Sequence, residues 1–363
     1  FWLKPAPCPP GRDPSPAPLP RAASDARAAM HSAAVHLAAA AAQPAGAGLD
    51  EAMAGALDGE ACARLLALFD AGPAARAAAL AAVRGRVPEL AFDGAGCRVV
   101  QRAFEEADRE LAPELLAELA GRVREAARSP HANYVIQKVV TVASPAQISL
   151  VARELLGAGP SLARHRCGCR VLCRLAEHSG PSDADVAALV DEVLLEAERL
   201  CHHAFGHHVI QSIVEHGAPR HRSRVAAALR QEEDLGRWAL HPQSSHVVVA
   251  ALASCAEGDA QAIALRLLEG GQDGVVALAR NRFGAGVVRT LLRLPDPASQ
   301  GALRLLWGAA PRLWPTRYGR TLLREVGIVP AEAPEAPEEG APPRTASQPG
   351  SHKGCPPRAL RGQ

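Results

Sequence analysis

The chain has 363 residues, 40 of them basic and 38 acidic, for a formal net charge of +2. A balance that close excludes polyanion binding driven by overall charge, so any nucleic-acid surface must be local. Aromatics make up 3% and much of the 48% hydrophobic content is alanine, which argues against a sheet sandwich and for helices packed through small residues.

Residues 1–49 are rich in Pro and Ala. Pro5, Pro7, Pro9, Pro10, Pro14, Pro16, Pro18 and Pro20 forbid regular helix, and disorder is expected. The apolar run from Ala33 to Ala42 is interrupted by His36 and falls short of the ~20 residues of a membrane span. No membrane segment is expected. The first residue is Phe1, not an initiator Met, which is compatible with a fragment. The nine scattered cysteines, with no secretory pattern at the start, read as reduced thiols of a cytosolic or nuclear protein.

Residues 50–326 carry a helical pattern throughout. Leu115, Leu116, Leu119, Val123, Ala126 and Ala127 line one face of a helix expected over Leu111 to Arg128. Ser144-Pro145, Gly180-Pro181, Ala218-Pro219 and Asp296-Pro297 mark further helix starts, since Pro fits the first turn. Between them one pattern recurs seven times: a small residue, two variable residues, then two branched aliphatics. The strongest copies begin at Gly96, Ala132, Gly168 and Gly206, and looser ones at Ser244, Gly284 and Gly319. Their second residues, Cys97, Asn133, Cys169, His207, Ser245, Ala285 and Arg320, are separated by 36, 36, 38, 38, 40 and 35 residues. An upstream unit around Glu60 to Leu65 lies one period earlier and lacks the polar set, as a capping repeat would. Such a period predicts an all-α fold, an α-solenoid of about eight helical repeats. Residues 327–363, rich in Pro, Gly and Ser, are expected to be a disordered tail.

Within each motif helix the residues first and fifth after the small one lie one turn apart on one face, while the aliphatic pair turns inward. Stacking the units in register sets a row of variable polar residues along one concave surface. Gly96-Cys97-Arg98-Val99-Val100-Gln101-Arg102 and Ala132-Asn133-Tyr134-Val135-Ile136-Gln137-Lys138 resemble the repeats of the Pumilio (PUF) family of RNA-binding proteins, a similarity covering about residues 50–326. The resemblance implies binding of single-stranded RNA, messenger RNA 3′ untranslated regions in particular, with RNA antiparallel to the protein. It further implies post-transcriptional regulation through effector proteins, in the cytoplasm. A nucleolar member binding ribosomal RNA precursors, and a protein-binding scaffold that has lost base recognition, are the alternatives.

The side chains themselves suit this role. Asn133 with Gln137 matches uracil, which shows two carbonyl acceptors and an N–H, and Cys97 with Gln101 matches adenine, the thiol packing on a C–H edge. His207 with Gln211 is expected to accept uracil, His207 substituting for Asn. Arg98, Tyr134, Arg170, His208 and His246 are the expected stacking residues, and Arg102, Lys138 and Arg174 the expected phosphate contacts. Recognition is expected to decay toward the C-terminus. Cys169 is followed by Cys173 in place of the family's Gln, Ser245 by Val249 in place of Glu, and Ala285, Gly286 and Arg289 retain almost nothing of a base-reading set. Binding weaker and less specific than that of a typical member follows.

Other chemistry is not expected. His165, Cys167, Cys169, Cys173, Cys201, His202 and His203 lie near one another in sequence, but lack the paired Cys-x-x-Cys spacing of structural zinc sites, so no metal or cofactor is assigned. No phosphate loop, His-Glu-x-x-His or nucleophile elbow is present, and the chain is not read as an enzyme.

Overall fold

The computed structural model describes residues 59–180 and 183–330. The disorder expected for residues 1–49, and for the tail past Pro330, falls outside the described residues. The described residues are all helix, turn and loop, arranged as an α-solenoid.

The seven motif helices, Gly96–Glu106, Ala132–Val142, Gly168–His178, Gly206–His216, Ser244–Ser254, Gly284–Leu291 and Arg317–Glu325, pack in succession as one layer. Gly59–Asp70 extends that layer, packing on Gly96–Glu106 where the capping repeat was expected. Their aliphatic pairs, from Val99 and Val100 to Leu322 and Leu323, are all buried. Each such side chain stabilises by about 1.5–3 kcal/mol, so these pairs are the main cohesion of the stack. A second layer is formed by another set of helices, among them Pro145–Leu155, Ala184–Leu194, Pro219–Gln231, Glu257–Leu268 and Ala298–Leu313, again packed in sequence order.

A short helix joins the layers in the first five of these repeats, and here the expected single helix over Leu111 to Arg128 is corrected. It is two helices, Leu111–Ala117 and Val123–Arg128, with the six expected apolar residues all buried. The break lies at Gly121, whose φ of +76° suits glycine and disfavours any other residue. Gly85 and Gly157 make the same break one repeat away on either side, at φ +77° and +78°. Each break is held by a carboxylate of the following repeat. Glu118 accepts from the N–H groups of Gly85 and Val87 at 2.8 and 2.9 Å, and Glu154 from Gly121 and Val123 at 2.9 and 3.2 Å. Glu192 accepts from Gly157 and Gly159 at 2.8 and 3.0 Å. An anion on the free N–H groups of a helix start is favoured electrostatically, so these residues clamp neighbouring repeats together.

The Pro signals hold in part. Pro145 and Pro219 open their helices. Pro181 lies outside the described residues, and the helix after it begins at Ala184, capped by Asp183 accepting from Asp185 and Val186. Pro297 precedes its helix, which starts at Ala298. At the far end Ile328 is buried and its N–H donates to the Leu323 carbonyl at 2.9 Å, so packed structure passes the expected boundary at Val326.

Candidate nucleic-acid interface

Each motif helix starts against the carbonyl of the residue six positions before it. A Cβ on Gly96, Gly168, Gly284 or Gly319 would lie 2.7, 2.8, 2.5 or 2.7 Å from the carbonyl oxygens of Leu90, Leu162, Leu278 and Leu313. That approach is why the first motif position is small. Ser244 uses the same carbonyl constructively, its hydroxyl donating to Trp238 at 2.9 Å.

A second column, which the sequence reading missed, sits three residues before the small one. Asp93 accepts from the N–H groups of Ala95 and Gly96 at 2.8 and 2.7 Å, and Ser129 from His131 and Ala132 at 3.2 and 3.1 Å. His165 Nδ1 accepts from Cys167 and Gly168, His203 Nδ1 from Phe205 and Gly206, and His241 Nδ1 from Gln243 and Ser244, at 3.2–3.5 Å. Asn281 does the same for Phe283 and Gly284 at 2.7 and 3.2 Å. These residues cap the motif helices with one acceptor each, from four different residue types. Burial, with Arg128 and Arg166 nearby, lowers the pKa of His165, and burial with His202 lowers that of His241; both keep the neutral ring that accepts. The histidines once weighed as zinc ligands thus have a structural use. Among the described residues no group of three or more His, Cys, Asp or Glu could hold a metal ion.

The first-position residues are less open than a row on a free surface. Asn133 is 1% exposed, His207 6%, and Cys97, Cys169 and Ser245 are also buried between adjacent motif helices. Asn133 Nδ2 donates to the Ser129 carbonyl at 2.6 Å, and the Cys97 and Cys169 thiols face the Gly94 and Arg166 carbonyls at 3.4 and 3.5 Å. Burial pushes the Cys169 thiol up to about 11, and that of Cys173 further still, so both remain thiols. The fifth-position amides are half-buried. Gln101 donates to the Cys97 carbonyl at 2.9 Å, Gln137 to Asn133 Oδ1 at 2.8 Å, and Gln211 to Glu215 at 2.8 Å.

The second-position side chains form the open row. Arg98, Arg170 and His246 are exposed, and Tyr134 and His208 half-buried. Arg170 Nη1 donates to the Tyr134 hydroxyl at 3.4 Å, the His207 and His208 rings lie 3.9 Å apart, and His207 stacks toward His246 at 5.7 Å. Burial first, then His246 and Arg170, lowers the His208 pKa.

The three expected phosphate contacts are placed otherwise. Arg102 pairs with Asp70, Glu105 and Glu106 at 3.0–3.1 Å, Lys138 with Glu105 at 2.5 Å, and Arg174 with Glu177 at 2.6 Å. Their charge is largely spent within the protein. In the C-terminal units Val249 packs against the core, and Arg289 holds Glu325 through two hydrogen bonds of 2.6 and 3.0 Å.

The profile of the Pumilio-family RNA binding repeat matches residues 86–120, 123–156, 160–194 and 198–229. Each match contains one of the four strongest motif units, at Cys97, Asn133, Cys169 and His207. The chain thus carries four Pumilio-family repeats. Solved Pumilio-type structures share its fold: PUF-8 in complex with PBE-RNA is 22% identical over 74% of this chain and 76% of its own, with a TM-score of 0.60. The Puf3 RNA binding domain bound to a Cox17 RNA 3′ UTR recognition sequence is 18% identical over 77% and 84%, with a TM-score of 0.67. The Puf4 RNA binding domain bound to an HO endonuclease RNA 3′ UTR recognition sequence is 20% identical over 76% and 86%, with a TM-score of 0.60. No curated protein sequence matches the chain. The units at Ser245, Ala285 and Arg320 lie outside the matched Pumilio repeats, where the fifth position holds Val249, Arg289 and Arg324 but the helices persist.

Proposed function

We propose that this Pumilio-family chain binds single-stranded RNA along the motif-helix face, one base to a unit, and acts on messenger RNA as a post-transcriptional regulator. The observation that carries this reading is the register of the four matched repeats, which sets paired first and fifth residues beside an open row of Arg98, Tyr134, Arg170 and His208. Planar side chains at that pitch stack on bases, each stack contributing about 1–3 kcal/mol. The residual hydrogen-bonding capacity then selects. Gln137 Nε2 donates to Asn133 Oδ1 at 2.8 Å and to the Asn133 carbonyl at 3.3 Å, which leaves the Gln137 oxygen, and Asn133 keeps one N–H; these two complement the N3–H and one carbonyl oxygen of uracil. Gln101 beside the Cys97 thiol offers one donor and one acceptor, as the adenine edge requires.

The weak net charge and the internally paired Arg102, Lys138 and Arg174 make this binding depend on bases more than on phosphates. The test is fluorescence anisotropy of the full chain with a short RNA of alternating uracil and adenine, beside one with those bases replaced by cytosine, each repeated with Gln137→Ala. Preferential binding that the substitution removes supports the proposal. Equal binding to both RNAs points to a backbone binder, such as a ribosomal RNA precursor would require. A protein-binding scaffold, which Val249 and the Arg289–Glu325 pair favour for the C-terminal units, is the outcome if neither RNA binds.

A further inference from the structure

The fourth motif helix, Gly206–His216, departs from the first three just after its fifth position. In those three the next residue is a cation on a carboxylate: Arg102 on Glu105, Lys138 on Glu105, Arg174 on Glu177. In the fourth that place is Ser212, whose hydroxyl turns inward to the Cys173 carbonyl at 3.2 Å. Glu215, which stands where Glu105 and Glu177 stand in their units, meets the His216 ring at 3.8 Å and takes Gln211 instead.

An ionised carboxylate only accepts, so the nitrogen of the Gln211 amide faces Glu215 and its oxygen faces away. In the first two units the corresponding nitrogens point back along the helix, to the Cys97 carbonyl and to Asn133 Oδ1. His207 completes the difference. Its Nδ1 lies 2.9 Å from the His203 carbonyl, which only accepts, so Nδ1 carries the hydrogen and Nε2 of the neutral ring is a bare acceptor.

We propose that the unit built on His207, Gln211 and Glu215 selects guanine, with Glu215 the positioning residue that sets this preference by holding the Gln211 amide. The inference rests on the base-reading function above and names the base for one unit. Guanine presents two adjacent donors, N1–H and N2–H, to the two acceptors. Uracil, expected from the residue types alone, would set its carbonyl oxygens against them, and adenine and cytosine each offer a single donor group beside an acceptor.

The test uses the full chain and four labelled RNAs, identical except for G, U, A or C immediately 5′ of the sequence AUA, the position His207 meets if RNA runs antiparallel to the chain, with a fifth RNA that carries ACA in place of AUA to report the choice opposite Asn133. Fluorescence anisotropy is expected to show G preferred over U by roughly 5- to 100-fold. Glu215→Ala should bring that ratio close to one, while the choice of U over C opposite Asn133 is unchanged; a merely structural role for Glu215 would not move the ratio. Uracil bound as well as or better than guanine overturns the inference, and so does a guanine preference that survives Glu215→Ala. If the choice opposite Asn133 remains while guanine is not preferred, this inference alone fails. If both choices are absent, base reading fails with it.

Discussion

Replacing Gly284 by Ala tests the close approach that the glycine-led units share. Its added Cβ would sit 2.5 Å from the Leu278 carbonyl oxygen and 2.7 Å from the Leu278 Cα, so backbone must yield rather than a side-chain tip. Overpacking of this kind costs about 1–3 kcal/mol. In a body of this size each kcal/mol moves the melting temperature by roughly 2–4 °C, so a fall of about 4–8 °C is expected for a mid-range cost. Gly286, two residues on in the same helix, supplies the control, since nothing lies within 4 Å of its Cβ position. Gly286→Ala should stabilise by up to about 1 kcal/mol through helix propensity alone. Thermal and urea unfolding followed by circular dichroism compares the pair, and a Gly284→Ala variant as stable as the wild type would refute the packing argument. Because repeats couple chiefly to their neighbours, RNA affinity at the four matched units should change little in the folded variant.

Burial holds the His207 ring down at about 4 against an ordinary value of 6.5, so the unfolded chain takes the proton first and folding stability declines as pH falls from about 6.5 toward 4. Urea unfolding across that window checks it, and His207→Asn should flatten the slope. Tyr134→Ala is expected to weaken RNA binding by roughly 5- to 100-fold with little change in which base is preferred, as loss of a stack should. Glu105→Gln removes the carboxylate that holds Lys138, and the salt dependence of RNA binding should steepen by about 0.7 in the logarithmic slope if that ammonium then reaches a phosphate. Arg289→Ala breaks a solvent-accessible pair with Glu325, should cost no more than about 1 kcal/mol in urea unfolding, and should leave every base preference intact.

What the sequence made legible is what burial and sterics demand of residue type. The aliphatic pairs and the small residue recur because each motif helix must bury one face and admit a neighbouring carbonyl, and both columns can be followed from Gly96 to Leu323. The break at Gly121 was hidden because the apolar residues on both sides of it face one core, so their spacing mimics one continuous helix. The cap column escaped notice for the opposite reason. Asp93, Ser129, His165, His203, His241 and Asn281 share a role and the motif's spacing but not a residue type, so no repeated letter marks the column. At the reading positions, Gln101, Gln137 and Gln211 are identical in sequence. Which way each amide is turned depends on Cys97, Asn133 and Glu215, contacts that no spacing rule displays.

The columns differ in how far they run, and the difference has a physical cause. Small residues and aliphatic pairs are part of every interface between neighbouring repeats, so losing one would open the stack wherever it occurred. Reading positions answer only to a ligand. Past Gln211 they are reassigned to the protein itself, Val249 to the core and Arg289 to Glu325, while the helices that carry them keep their packing. The C-terminal units therefore complete the solenoid and cover the apolar face of the fourth repeat, whose Val209, Ile210 and Ile213 would otherwise lose part of their cover. The polar first and fifth residues of the proposed reading row, Cys97 with Gln101, Asn133 with Gln137 and His207 with Gln211, thus all lie in the part of the body that matches the Pumilio repeats.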